Sequence, residues 1–471
     1  MQWSNHQRAI FDFVADTMAG SGVVEAVAGS GKTTTIVEAM KYLPKNQSVA
    51  FMAFNASIAK ELKARVPAGV ETMTMNSLGH RAVMRAVGKV ELDSNKVRGI
   101  VRAMVPEHWR TVDPDAVTAV VQLVGLAKAH GLVPDAPGFE DLAVHHGVDY
   151  TPEIDLYARK ALRANNTDTR VIDFNDQLYF PVINHWYPRQ QFDVIFLDEA
   201  QDVSTVQRQL VAMALKPGGR VVAVGDRRQA IYGFRGADSA SLDNIATEFG
   251  ATRLPLSVTY RCPAAVVRQA QTVAPEIQAA AGAPEGFVGP AGDQFPGPAD
   301  MVVCRNNAPL LSLAFQMLSN GQACNVMGRD ISASLVTFIQ RFKAGTVGDL
   351  LAAVDRWYVA ELDKALRAEN ESKAASVEDR VACVYALADG LPSTGSVGLV
   401  VARVKEIFAA GGGATLSSVH RAKGLEADNV FVLEPGLMPS RFARKPWQQV
   451  QEQNLMYVAW TRAGKNLYFM E

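Results

Sequence analysis

The chain has 471 residues, 48% of them hydrophobic and 20% charged, with a formal net charge of −1. That is enough for roughly two to four domains with real cores, and it excludes a disordered or collagen-like chain and a global field that would gather polyanions. The four cysteines (Cys262, Cys304, Cys324, Cys383) form no Cys-x-x-Cys pair, the eight histidines show no metal-ligand spacing, the N-terminus carries no signal-peptide pattern, and no apolar run approaches membrane-spanning length; a cytoplasmic protein with free thiols and no membrane partner is expected.

In chain order, an apolar run at Val23-Val-Glu-Ala-Val27 leads into Ala28-Gly29-Ser30-Gly31-Lys32-Thr33-Thr34, and then into a helical pattern with Ile36, Val37, Met40 and Leu43 on one face. Strand, glycine turn and helix are the context a phosphate-binding loop needs. Gly29 and Gly31 let successive N–H groups point at one anion, beside the positive end of the helix dipole. Lys32 can reach β- and γ-phosphates, and the Thr33 hydroxyl can hold Mg²⁺. Position 26 is Ala where the simplest loop pattern has Gly. A second strand is expected at Val49-Ala-Phe-Met-Ala-Phe54. The run Asp193-Val-Ile-Phe-Leu197 reads as a buried parallel strand ending in Asp198-Glu199-Ala-Gln201-Asp202. At the carboxyl edge of such a strand, Asp198 is expected to hold Mg²⁺ and Glu199 to deprotonate an attacking water. Val221-Val-Ala-Val224 completes a first sheet; Met301-Val-Val-Cys304, Val430-Phe-Val-Leu433 and Leu467-Tyr-Phe-Met470 imply a second. Strands alternating with helices give an α/β, doubly wound architecture. Residues 86–165 and 331–410 read as helical insertions, and residues 274–300, rich in Ala, Gly and Pro, as an irregular connection.

Taken in order, these blocks resemble the UvrD/Rep branch of superfamily 1 DNA helicases, from residue 5 to residue 469. Asn5-His-Gln7 is similar to the adenine-reading glutamine motif, with Gln7 offering an amide to the base edge. Phe54-Asn55 with Ile58-Ala-Lys-Glu-Leu62, and Thr74-Met-Asn-Ser-Leu-Gly-His80, resemble the two blocks that touch single-stranded DNA; the first departs from the commoner Phe-Thr-Asn-Lys-Ala-Ala. Ile172-Asp-Phe-Asn-Asp176 matches the Asp-Phe block before the acidic strand. Val224-Gly-Asp226-Arg-Arg-Gln229-Ala-Ile-Tyr232-Gly-Phe234-Arg235 resembles the third motif, with Phe where relatives often have Trp. Tyr260-Arg261 resembles the fourth, Ser418-Val-His420-Arg-Ala-Lys423-Gly-Leu-Glu426 the fifth, and Met456-Tyr457-Val-Ala-Trp-Thr461-Arg462-Ala463 the sixth.

The resemblance implies a P-loop NTPase of two RecA-like domains: 1–85 with 166–255, carrying a helical insertion at 86–165, and 256–330 with 411–471, carrying a reduced insertion at 331–410. It implies ATP and Mg²⁺ as cofactors. Gln7, residues 28–34, Tyr260, Arg261, Glu426 and Arg462 would bind the nucleotide, and Thr33 and Asp198 the metal. Lys32, Glu199, Gln229, Arg261 and Arg462 would carry hydrolysis, the two arginines spreading positive charge over the γ-phosphate. Phe54, Asn55, Thr74, His80, Tyr232, Phe234, Arg235 and His420 would engage single-stranded DNA, the aromatic rings by stacking. Lys60, Lys63, Arg235 and Arg421 are candidates for a basic groove. The expected activity is 3′→5′ movement on single-stranded DNA and at single-strand/duplex junctions. The second insertion, of about 80 residues by the boundaries above, is shorter than in long members of the family. The chain also ends just after the sixth motif. Translocation is therefore the firmer expectation, with a protein partner supplying strand separation or cutting as the alternative. A non-motor nucleotide-binding protein is the third reading, and a complete set of ATPase blocks weighs against it.

Overall fold

Strands buried on both faces need apolar side chains at odd and even positions alike, and the central strands of this chain supply them. The computed structural model describes residues 3–53, 55–111, 114–231, 240–367, 370–409 and 411–471. The chain separates into two compact units, Met1–Ser257 and Val258–Glu471.

The first unit contains strands β1 (Gly22–Ala26), β2 (Val49–Ala53), β3 (Val70–Thr74), β4 (Glu91–Leu92), β5 (Val171–Ile172), β6 (Phe192–Leu197), β7 (Leu215–Gly225) and β8 (Thr252–Leu256). Its helices are α1 (Asn5–Ala15), α2 (Lys32–Ala39), α3 (Ala56–Lys63), α4 (Met75–Val87), α5 (Lys96–Met104), α6 (Glu107–Thr111), α7 (Pro114–Ala129), α8 (Phe139–His146), α9 (Pro152–Thr167), α10 (Asp176–Ile183), α11 (Thr205–Ala214) and α12 (Ser241–Glu248). Six strands form one parallel sheet in the order β3-β2-β6-β7-β1-β8. One face, with Val23, Met52, Ile195, Leu197, Val221 and Ala223, packs on α4, α10, α11 and α12 through Leu78, Leu178, Leu210 and Ile245. The other, with Val24, Phe51, Phe196, Val222 and Val224, packs on α1, α2 and α3 through Ile10, Phe11, Ile36 and Leu62. This is the doubly wound arrangement expected from sequence. Two edge strands were not expected: β3 (Val-Glu-Thr-Met-Thr) and β8 (Thr-Arg-Leu-Pro-Leu) are polar and partly exposed, so neither reads as an apolar run.

The segment 86–165 folds as α5 to α9, joined to the body by the two-residue ribbon β4–β5. It has its own core, in which Val101, Val120, Leu123, Phe139 and Leu162 meet Tyr179 and Phe180 of α10.

The second unit contains β9 (Val258–Thr259), β10 (Gln278–Ala279), β11 (Phe287–Pro290), β12 (Met301–Cys304), β13 (Cys324–Val326), β14 (Ala414–Ser418), β15 (Ala427–Leu433) and β16 (Ala463–Met470). Its helices are α13 (Ala264–Gln271), α14 (Ala308–Ser319), α15 (Arg329–Arg341), α16 (Val347–Arg367), α17 (Glu371–Ala388), α18 (Val397–Ala409), α19 (Val419–Ala422) and α20 (Pro446–Trp460). Its six-stranded sheet is parallel, in the order β11-β16-β15-β12-β14-β13. Beyond the three expected strands, it recruits the three-residue edge strand β13 and also β14, whose Ser417 and Ser418 hide a strand in hydroxyl residues. It also recruits β11, which lies within the stretch expected to be irregular. Helices α15 to α18 form one core with the sheet: Leu335, Phe338, Leu350, Val384 and Val404 share a cluster with Val302, Leu416 and Phe431.

Candidate active site

Strand order places the chemistry. Between β1, which feeds the glycine loop, and β6, which ends at the acidic pair, lies β7, which ends at Gly225-Asp226. Three loops therefore meet at one carboxyl edge, where open α/β sheets bind ligands.

In the loop after β1, Gly29 (φ 69°) and Gly31 (φ 77°) are left-handed, as glycine permits. Gly31 is the N-cap of α2 and offers no side chain to the helix N–H groups. Neighbouring helices are different: Ser4, Asn55 and Thr74 cap α1, α3 and α4 with side-chain oxygens. The start of α2 thus has no side-chain cap to compete with an anion. Ala28 and Ser30 are buried, and Ser30 Oγ has no hydrogen-bond partner. Thr34 Oγ1 accepts from Arg65 Nη2 at 3.4 Å.

Across the edge, the Thr33 hydroxyl donates to Asp198 Oδ2 at 3.2 Å, and Lys32 Nζ lies 3.7 Å from Glu199 Oε1. Burial pushes the Asp198 carboxyl up to about 6, the adjacent Glu199 charge adds to that, and Lys32 and Thr33 oppose it. Glu199 sits in the left-handed region (φ 49°, ψ 41°), which is strained for a residue with a Cβ. Its Oε2 accepts a hydrogen bond from Gln201 Nε2, and Gln201 Oε1 accepts from the Asp226 N–H at 3.0 Å. Asp226 is buried, its carboxyl raised by desolvation, and its Oδ2 accepts from Gln229 Nε2 at 2.8 Å. Gln201 therefore joins the acidic pair to the loop after β7. In the sequence Gln201 stands in the acidic block with no role assigned to it. Its contact with Gly225 is close: a Cβ there would lie 2.6 Å from Gln201 Oε1.

The donor set fits a magnesium–nucleotide complex. Mg²⁺ favours oxygen ligands and typically takes one or two protein groups, the rest being phosphate and water. Thr33 and Asp198 supply that, and among the described residues no three His, Cys, Asp or Glu side chains gather into a protein-only metal cage.

Gln7 lies next to the loop but is buried. Its Oε1 accepts from Ser4 N at 3.0 Å in a capping box, and its Nε2 donates to Thr35 Oγ1 at 3.0 Å. Asn55 and Thr74, expected at DNA, are helix N-caps at the ends of β2 and β3, accepting from Ile58 N (2.8 Å) and Ser77 N (3.1 Å). His80 lies on α4 with a buried Nδ1 that has no partner. Lys60 and Lys63 occupy the last turn of α3, at the opposite end from the Asn55 cap, where they complement the helix dipole. Phe54, Tyr232, Phe234 and Arg235 lie outside the described residues. An aromatic ring to which sequence reading gave no role does stand at this edge. Phe174 is 55% exposed, and its carbonyl accepts from Asn76 Nδ2 at 2.8 Å, within the Thr74–His80 block.

In the second unit the fourth, fifth and sixth blocks come together. Tyr260 is half exposed. Arg261 Nη2 pairs with Glu426, and its Nη1 donates to the Thr461 carbonyl at 3.4 Å. Arg462 is buried: Nε donates to Val458 O (2.9 Å), Nη1 to Leu425 O (3.2 Å) and Nη2 to Thr461 Oγ1 (3.2 Å). Thr461 thus touches both guanidinium groups. His420 lies on the short helix α19, after β14.

Residues 5–250 match the model of the UvrD/REP helicase N-terminal domain, and residues 406–471 that of the UvrD-like helicase C-terminal domain. Among curated proteins, ATP-dependent DNA helicase PcrA of Bacillus subtilis is 26% identical over 288 residues, covering 55% of this chain and 38% of the relative. DNA helicase II of Haemophilus influenzae is 25% identical over 280 residues (53% and 38%). F-box DNA helicase protein 1 of Schizosaccharomyces pombe is 23% identical over 253 residues (47% and 27%). The alignments thus span less than two fifths of each relative's length. Two parallel sheets, a glycine loop facing an acidic pair, and a family model that covers more than half of the chain establish it as a member of the UvrD/REP helicase family.

Proposed function

We propose that this chain is an ATP-dependent DNA helicase or translocase that moves 3′→5′ on single-stranded DNA. One observation carries the reading: the uncapped start of α2, the Thr33–Asp198 contact and the Lys32–Glu199 pair converge at one sheet edge. In this reading, helix N–H groups and Lys32 bind the phosphates of ATP, and Thr33 and Asp198 hold Mg²⁺, which neutralises phosphate charge. Glu199 accepts the proton of the attacking water, with its carboxylate aimed by Gln201. Gln229 senses the γ-phosphate and reports it through Asp226. Tyr260 stacks on the base, Gln7 reads its edge, Glu426 binds the nucleotide, and Arg261 and Arg462 stabilise the transition state. Because Arg462 is buried and bonded to carbonyls, that role requires it to exchange those acceptors for phosphate oxygen. Asn55, Thr74, His80 and His420, with the exposed Phe174 as a stacking surface, engage the strand. Phe54, Tyr232, Phe234 and Arg235 engage the strand as well in this reading. Each unit is a sheet body carrying one helical insertion, 86–165 or 331–410.

The test is ATP-dependent unwinding of a 3′-tailed against a 5′-tailed duplex, with Glu199→Gln and Lys32→Ala as controls. Opening of the 3′-tailed duplex alone supports the reading. Opening of neither, with hydrolysis still stimulated by single-stranded DNA, identifies a translocase that relies on a partner for strand separation. Normal turnover by Glu199→Gln removes Glu199 as the base.

A further inference from the structure

The turn that carries Phe174 is held from beneath by a buried charge cluster outside the nucleotide site. Lys128, on α7, is fully buried, and its three N–H groups meet Asp173 Oδ2 (2.8 Å), Asp176 Oδ1 (2.7 Å) and Asn165 Oδ1 (3.0 Å). Lys96, at the start of α5, is nearly as buried. It meets Asp176 Oδ2 (3.0 Å) and the carbonyls of Asn165 (3.1 Å) and Asp168 (2.8 Å), with its ammonium 4.9 Å from the centre of the Phe180 ring. The two aspartates close on each other: Asp173 N donates to Asp176 Oδ2 (3.1 Å) and Asp176 N to Asp173 Oδ1 (2.8 Å). Between them stand only Phe174 and Asn175, both exposed. On its open side the turn is tied to α4 by Asn76.

Such a cluster is an expensive way to gain stability. Two ammonium groups and two carboxylates must be desolvated, and apolar side chains of similar volume often serve a core as well or better. What the cluster does supply is geometry. It fixes both ends of a two-residue exposed turn to two helices of the 86–165 segment, so the backbone that carries the ring is set in place before any ligand arrives. A preorganised contact avoids the ordering cost that a mobile ring incurs on binding.

We propose that the Lys96–Asp176–Lys128–Asp173 cluster is a positioning device for single-strand binding, which holds Phe174 in place and makes the helical insertion responsible for that contact. The proposal rests on the reading of this edge as a strand-binding surface. Lys96 and Lys128 touch no nucleic acid themselves and act through the turn.

The test is a double-mutant cycle on the full chain, read by fluorescence anisotropy with a labelled oligothymidylate. Phe174→Ala sets the scale: loss of one stacked base weakens binding by about 5- to 150-fold. Lys128→Met, in a protein shown to be folded by its circular dichroism and melting, should reproduce most of that loss while Phe174 is still present. In the Phe174→Ala background it should add little. A structural role alone would weaken binding by the same factor in both backgrounds, and that result overturns the proposal, as does unchanged affinity in folded Lys128→Met. If Lys128→Met does not fold, Lys128→Met/Asp173→Asn, which leaves no unpaired charge from that pair, takes its place in the cycle. A parent chain that binds no oligothymidylate removes the strand-binding reading and this proposal with it; a parent that binds while Lys128→Met binds equally removes the proposal alone.

Discussion

Gly79 lies in the middle of α4, where the helix crosses α10. A Cβ at this position would sit 2.0 Å from the carbonyl oxygen of Gln177 and 2.9 Å from its carbonyl carbon. Ordinary contact begins near 3.4 Å, so Gly79→Ala demands a displacement of about 1.4 Å against backbone rather than a flexible side chain. Overpacking of this kind costs about 1–3 kcal/mol, and the backbone obstacle argues for the upper half. Alanine returns about 1 kcal/mol of helix propensity. The net expectation is a loss of roughly 1–2 kcal/mol, which lowers Tm by about 2–8 °C for a unit of this size. Gly99, within α5, is the control, because a Cβ there meets nothing within 4 Å. Gly99→Ala should therefore gain up to about 1 kcal/mol. Thermal and urea unfolding of both variants measures the difference. If Gly79→Ala is as stable as the parent, or moves with the same sign as Gly99→Ala, the close crossing of α4 and α10 is wrong, and with it the placement of Asn76 beside Phe174.

Two further expectations follow from the first unit. Gln201→Ala removes the acceptor of the Asp226 N–H and the donor to Glu199. It should lower kcat of any DNA-stimulated ATP hydrolysis at least tenfold and destabilise the unit by about 1–3 kcal/mol, the cost of an orphaned buried donor; unchanged kcat would show that Glu199 needs no aiming. Asp193 accepts from Lys216 Nζ (2.8 Å) and from Ser48 N and Oγ (both 2.7 Å), and these bonds hold its carboxyl down to about 2, against an ordinary 3.8. Its contribution to stability is full above 3.8 and is lost as pH falls through about 2, because the unfolded chain takes up the proton first. Asp193→Asn should flatten the acid limb of the stability profile in that window, and an unchanged limb would show that the clamp adds nothing.

The parts of this chain that could be read from sequence are those whose partners are near or whose pattern is uniform. β2 is apolar throughout, β1, β6 and β7 each contain a short apolar run (Val23-Val24, Val194 to Leu197, Val221 to Val224), and the glycine loop declares itself by two glycines before Lys32-Thr33. β3 and β8 are sheet edges with Glu71, Arg253 and Pro255 in them, and β14 buries serines where hydrocarbon would be expected. Asn55 and Thr74 read as DNA contacts, yet an Asn or Thr directly before an amphipathic run is also a capping signal, and capping is the bond each makes here. Nothing local in the sequence marks Lys96 and Lys128 as buried, since their carboxylate partners stand 45 to 80 positions away. Only the folded arrangement of α5, α7 and α10 makes them interior groups.

The two helical segments have unequal independence, and that bears on how relatives of this chain can diverge or be recombined. The 86–165 segment keeps most of its hydrophobic core to itself, so it is a candidate for exchange between homologues if the lysine–aspartate cluster travels with it. The segment α15 to α18 has no such autonomy: its apolar residues share one hydrophobic cluster with Leu311 and Met317 of α14 and with Val302, Leu416 and Phe431 of the sheet, so excising it would open that core to water. In this chain those helices are a wall of the second unit, and a deletion that spares every motif residue would still be expected to abolish folding of the unit that carries Arg261 and Arg462.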